Sequence, residues 1–298
     1  DDLRVVARGW RWTRRRLAPD SASHTFVSFQ QPAYQTAWAR GPLARGVRDL
    51  FLSAALGPVL NASFDISVAG RERLDDVRSP AVFVANHTSH LDALLALHAL
   101  PTPWRRRMVV AAATDYFFSA WWRSALAALA LNAVPLERNS GGGDRDTYIR
   151  LLQTGWSVLA FPEGSRSRDG SLQRLHHGPS RLALDTGRPV VPLGIRGTFA
   201  AMPAGVSWPR PGRPRAVRVR IGAAVWPREG ERTRELTARV RQALEQLLLE
   251  DATTWWTSLR VAPGSEPRAN PDAARWRRVW ENSAPLAPKR RPPIWPRT

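Results

Sequence analysis

The sequence predicts an α/β fold, a single domain on a mixed, mostly parallel sheet flanked by helices. Three observations predict it. Short apolar runs recur at 81–85, 108–111 and 157–161, the mark of strands buried on both faces. Helical patterns separate them, as parallel crossovers require. Apolar residues make up 43% of 298, enough to bury a core.

The elements follow in order. Residues 46–66 read as an amphipathic or buried helix around Leu50, Phe51, Ala54, Ala55 and Leu60. Ala81–Ala85 is a buried strand, and the helix after it runs through Leu91, Leu94, Leu95 and His98 to a stop at Pro101. Met108–Ala111 is a second strand, 116–131 an aromatic-rich helix, and Val134–Leu136 extended chain. A helix over 144–154 leads to a strand at Ser157–Phe161, and a helix over 178–186 to a strand at Val190–Ile195. Ala216–Val225 alternates Arg with Val and Ile, which predicts a half-exposed edge strand. Over 231–250, Leu236, Val240, Leu244, Leu247 and Leu248 keep the helical period.

Composition divides the chain into three. Residues 1–67 are an Arg/Trp-rich arm and helix, 68–250 the domain, and 251–298 a Pro/Trp/Arg-rich tail. No apolar stretch reaches the roughly 20 residues of a membrane span; Leu50–Phe64 and Ser124–Leu136 come nearest. Arg14–Arg16 is not followed by the apolar run of a signal peptide.

Lys+Arg is 44 against 25 for Asp+Glu, a formal charge of +19, and Lys289 is the one lysine. Such charge favours anionic partners: phosphate esters, lipid headgroups or nucleic acid. Cysteine is absent, so thiolate catalysis, Cys-ligated metals and disulfides are excluded.

Two constellations carry chemistry. Asn86-His87-Thr88-Ser89-His90-Leu91-Asp92 lies where a strand ends and a helix begins, the ligand-binding edge of open α/β sheets. On a regular helix His87 and Asp92 would stand about 140° apart. They meet only if His87 sits on the turn before the helix. A carboxylate on one imidazole nitrogen would then leave the other as a general base. The alternatives are a plain helix cap by Thr88 or Ser89 and a metal site from His87, His90 and Asp92. The second constellation is Phe161-Pro162-Glu163-Gly164-Ser165-Arg166-Ser167-Arg168. Gly164 permits close backbone approach, and Arg166 and Arg168 can fork onto phosphate oxygens. Glu163 either holds an arginine or accepts a bond from a substrate hydroxyl, and the alternative is an ordinary polar loop. Val134–Arg138 and Val190–Gly197 are further extended runs at which a pocket wall can form. His176 and His177 read as loop residues.

Taken in order, these pieces resemble the glycerolipid acyltransferases, the lysophosphatidate acyltransferases among them. Asn86-His87 with Asp92 matches an N-H-x-x-x-x-D block. Arg138 matches the arginine closing the second block, Phe161–Arg166 an F-P-E-G-T-R block with Ser165 for Thr, and Val191-Pro192 the fourth. The resemblance implies transfer of a fatty acyl group from acyl-CoA or acyl-carrier protein to the free hydroxyl of lysophosphatidate. No acyl-enzyme, cofactor or metal is implied. His87 and Asp92 would be catalytic; Arg138, Glu163, Gly164, Ser165 and Arg166 would bind substrate; Val191 and Pro192 would face the acyl chain. Glycerol 3-phosphate or another lysophospholipid is the alternative acceptor.

The implied setting is the cytoplasmic face of a membrane, with peripheral or monotopic attachment to an anionic surface. Tyr116-Phe117-Phe118 and Trp121-Trp122, beside Arg105–Arg107 and Arg123, are the expected contact. A basic membrane- or nucleic-acid-binding protein without enzymatic activity is the distant alternative, and it leaves His87, Asp92 and the Glu163 turn unexplained.

Overall fold

A computed structural model describes residues 36–78, 80–113, 121–136, 143–167, 169–202 and 214–252. Arg138, Arg168, Tyr116–Phe118 and most of the N-terminal arm and C-terminal tail lie outside these residues, as do the side chains of Trp121 and Trp122.

Seven strands form one sheet in the order β1-β7-β6-β2-β5-β3-β4. They are β1 Phe64–Ala69, β2 Val82–Ala85, β3 Met108–Ala113, β4 Ala133–Leu136, β5 Ser157–Ala160, β6 Val190–Arg196 and β7 Arg215–Ile221. Every pairing is parallel except β6 with β7. The helices are α1 Pro42–Leu50, α2 Gly57–Ser63, α3 Leu91–Ala99, α4 Thr102–Arg106, α5 Trp121–Leu131, α6 Gly143–Gln153, α7 Gly178–Thr186, α8 Thr198–Ala201 and α9 Thr233–Ala252. A π-helical stretch, Phe51–Leu56, joins α1 to α2.

The pleat explains the apolar runs. Val82 and Val84 pack with Val158, Leu236, Val240 and Leu244 in one cluster. Phe83 and Ala85 pack with Leu95, Leu97, Leu159 and Val191 in the other. The strand is thus covered by helices on both sides, and side chains of opposite parity find separate cores. Pro179 near the start of α7 and left-handed Gly187 (φ 63°) after its end delimit that helix.

Two expectations are corrected. The Arg-rich strand, β7, is not an edge: β1 pairs with it through Phe64↔Arg215 to Ala69↔Arg220, and β6 lies on its other side. Its alternating burial is real, but the edge is β1. The helix predicted to run to residue 66 ends at Ser63, where β1 begins.

β2 is flanked by β5 and β6, both parallel to it. The loops leaving all three strands therefore open on the same edge of the sheet.

Candidate active site

The loop after β2 is tied down before it reaches His87. Asn86 is buried, donating from Nδ2 to the Ile195 carbonyl (2.9 Å) while its Oδ1 accepts from the Ile195 amide (2.8 Å). The side chain thus takes the place of a backbone ladder pair against the end of β6.

His87 lies on the turn before α3, as its spacing from Asp92 demands. Its Nδ1 is 3.0 Å from Asp92 Oδ2; the aspartate is fully buried and the imidazole about one-fifth exposed. The same oxygen accepts from the Thr88 amide (2.6 Å) and the Ser89 amide (2.8 Å). An oxygen that accepts from two amides requires a proton on Nδ1, so Nε2 presents its lone pair. Nε2 has no hydrogen-bond partner among the described residues. Phe161 packs on the ring, with centroids 4.3 Å apart and planes at 30°. Ser89 Oγ accepts from the Leu91 amide at 3.2 Å, a local turn bond; neither Thr88 nor Ser89 holds the cap position of α3, which is His90. Among the described residues, no three of His, Cys, Asp and Glu gather into a metal-ligand set.

The turn after β5 grips His87 from the other side. Glu163 is buried, and its Oε1 accepts from the His87 amide (2.7 Å) and its Oε2 from the Gln173 amide (2.9 Å). The Ser167 amide donates to the His87 carbonyl (2.7 Å). Both backbone groups of His87 are thereby bonded to the third block. Burial pushes the Glu163 carboxyl up to about 7 and the nearby Asp92 charge adds to the rise; the two amide bonds and Arg241 oppose it.

Gly164 has φ 72°, where a Cβ would stand 3.1 Å from the His176 ring. This position therefore favours glycine twice, by conformation and by space. Ser165 is exposed and Arg166 half-buried. Arg166 Nη1 is buried and has no hydrogen-bond partner. His90 is pushed down to about 4, first by burial and then by the charges of Arg166 and His87. The guanidinium thus stands in the electrostatic neighbourhood of the imidazoles, where the Asp92 charge acts in the opposite sense.

The fourth block lies deeper in the sheet than the other blocks. Val191 is fully buried and Pro192 is buried, in register with Phe83 and Val84 in the middle of the sheet. The Pro192 carbonyl accepts from the Gly222 amide at 2.8 Å. They pack in the core near the start of β6, while His87 lies beyond its end.

Sequence reasoning missed the structural roles of Asn86, Ser167 and Gln173. The polar Asn86 after an apolar strand was a usable signal. Ser167 and Gln173 act through their backbone amides, which no side-chain pattern betrays.

A seven-stranded α/β sheet with a His–Asp pair at the carboxyl edge of its central strand defines a class, and residues 65–196 match the acyltransferase family model. Over that segment the chain is similar to acyltransferases. Among curated relatives, a chloroplastic 1-acyl-sn-glycerol-3-phosphate acyltransferase of Arabidopsis thaliana is 34% identical over 148 residues, 48% of this chain and 39% of the relative. A counterpart from Brassica napus is 33% identical over 147 residues, 48% and 40% of the two chains. The chain therefore spans less than half the length of either relative. Among solved structures, the 1-acyl-sn-glycerophosphate acyltransferase PlsC of Thermotoga maritima superposes with a TM-score of 0.57 at 26% identity, over 74% of this chain and 85% of that one.

Proposed function

We propose that the chain transfers a fatty acyl group from an acyl thioester to the free hydroxyl of lysophosphatidate, with His87 as general base. The observation that carries the reading is the 3.0 Å contact of His87 Nδ1 with a fully buried Asp92. That contact orients the imidazole and holds its ring proton on Nδ1. The acceptor hydroxyl gives its proton to Nε2 as its oxygen bonds to the thioester carbonyl carbon. The tetrahedral adduct then breaks its C–S bond, and the imidazolium returns the proton to the leaving thiolate. Glu163 and Ser167 hold the base in place from the other block. Arg166, which has no acidic partner among the described residues, suits the acceptor phosphate, with Gly164 and Ser165 on the same turn; Arg138 is assigned to the acceptor by its match to the second block alone. Acyl-CoA and acyl-carrier protein are both chemically suitable donors.

The setting is a membrane surface, its cytoplasmic face in particular. Leu43, Val47 and Leu50 recur along one side of α1 and are exposed, with Trp38, Phe51 and Val59 beside them. The buried residues of this region, Arg48 and Leu52, lie on the opposite side. An apolar helix face turned outward fits an interfacial helix. No helix among the described residues is long and apolar enough to cross a membrane.

The test is thiol release from oleoyl-CoA, with and without lysophosphatidate, for the native chain and His87→Ala. Acceptor-dependent release that falls by about 10²–10⁴ in the variant is expected. Release that survives loss of His87 sinks the mechanism. Release that appears only with glycerol 3-phosphate or another lysophospholipid changes the acceptor and keeps the mechanism.

A further inference from the structure

A cavity of about 560 Å³ lies at the opposite edge of the sheet from His87. Its lining comes from segments that enter the amino ends of neighbouring strands: Val77 ahead of β2, Trp104, Arg106 and Arg107 ahead of β3, and Gly155 ahead of β5. Arg45 of α1 closes it. Gly155 and Glu163 bracket the four residues of β5, so at least about 13 Å of strand, at about 3.3 Å per residue, separates cavity and catalytic loop.

Three arginines and no acid line this cavity. Arg106 is already paired, donating to Asp49 Oδ2 at 2.7 Å. Arg45 and Arg107 have no carboxylate partner among the described residues, and Arg45 Nε is buried with no hydrogen bond. Both are held in place nonetheless. The Arg45 guanidinium lies 6.0 Å from the centre of the Trp156 ring. Arg107 Nη1 lies over Gly155, where a Cβ would be 2.9 Å away. Trp104, packed edge-on to Phe83 at 5.3 Å, makes the apolar floor. Positioned, uncompensated guanidinium forks match phosphate oxygens, and the volume falls in the range of small-molecule sites. Buried Arg48 nearby already feels repulsion from Arg45 and Arg40, which a bound anion would relieve.

We propose that this cavity is a second binding site, for a phosphate-bearing anion, formed by Arg45, Arg107 and Gly155 and separate from the acyl-transfer site. A lipid headgroup and a free phosphate offer the same chemistry here, and the exposed apolar face of α1 places the site near a bilayer if the helix docks there.

The experiment is arginine footprinting of the full chain with phenylglyoxal, read peptide by peptide. Arg166 falls on a different peptide, so failure here is distinct from failure of the acyltransferase reading. One arm adds inorganic phosphate, with chloride at matched ionic strength as its control. The other adds phosphatidylcholine vesicles with or without about 20% phosphatidate. At roughly ten times the dissociation constant, labelling of Arg45 and Arg107 slows about tenfold. Protection by phosphate supports a site open to free anion; protection only by phosphatidate vesicles supports a headgroup site. In either case Arg107→Gln abolishes protection of Arg45. Absence of protection in both arms, equal protection by chloride or by vesicles lacking phosphatidate, or Arg45 protection that survives Arg107→Gln overturns the proposal.

Discussion

Glu163 illustrates how a single buried carboxylate couples catalysis to stability. Its carboxyl is raised to about 7 from an ordinary 4.5, burial being the first cause. A raised acid binds its proton more tightly when folded than when unfolded. Its contribution to stability is therefore fully present below about 4.5 and is lost as pH rises through about 7. The full span corresponds to about 3 kcal/mol. Glu163→Gln cannot titrate, so the variant gains relative to the native chain as pH rises from about 5 to about 8, by up to that amount. Urea denaturation of both chains at several pH values reads this difference, and a constant difference across the range would refute it. Activity moves the other way. Each ionised oxygen accepts one amide, and Gln offers only one acceptor, so Glu163→Gln frees Gln173 or His87 and slows transfer at every pH.

At the scale of elements, α1 and α5 are joined by one buried cation. Arg48 donates from Nε to the Leu129 carbonyl (2.7 Å) and from Nη2 to the Ala128 (3.1 Å) and Ala39 (2.6 Å) carbonyls. Two of these acceptors lie in the last turn of α5, where orphan carbonyls and the negative end of the helix dipole favour a cation. Burial and the neighbouring Arg40 and Arg45 charges bring the guanidinium down to about 10. Arg48→Met keeps the bulk and strips the donors, and is expected to cost about 3 kcal/mol. Chemical denaturation measures it; a loss below about 0.5 kcal/mol would show the contact is incidental.

Most strands and helices were legible because their apolar periods are strong. β1 was not, because Phe64, Ile66 and Val68 follow directly on a helix and the strand is short. Missing β1 made β7 look like an edge. The His87–Asp92 pair was legible from spacing at a strand-to-helix boundary. The grip of the third block on His87 was not, since backbone amides make it. The burial of Val191 and Pro192 was not legible either, because a motif fixes order along the chain and not depth in the sheet.

For the whole molecule, the charge of +19 sets long-range behaviour. Each basic side chain near an anionic bilayer contributes about 1 kcal/mol, within a screening length of about 10 Å at 0.1 M salt. In the proposed docking, the apolar face of α1 would add attraction that salt does not screen. Flotation with phosphatidylglycerol-containing vesicles is therefore expected to weaken from about 0.05 to about 0.5 M salt without vanishing. Leu43→Glu with Leu50→Glu removes the salt-resistant part. Binding unchanged by both substitutions would place the membrane contact elsewhere on the chain.

The double tether of His87 also governs when activity can first arise during folding. Its amide and carbonyl are bonded to Glu163 and Ser167, and Asn86 to Ile195, all far along the chain. These are contacts of long sequence separation, which form late because loop closure opposes them. A refolding chain is expected to regain its helical signal before β5 and β6 dock on β2, since helices need only local contacts. On the proposed function, turnover is therefore expected to return in a later kinetic phase than circular dichroism, and a chain truncated ahead of β6 is expected to show none whatever helix it retains.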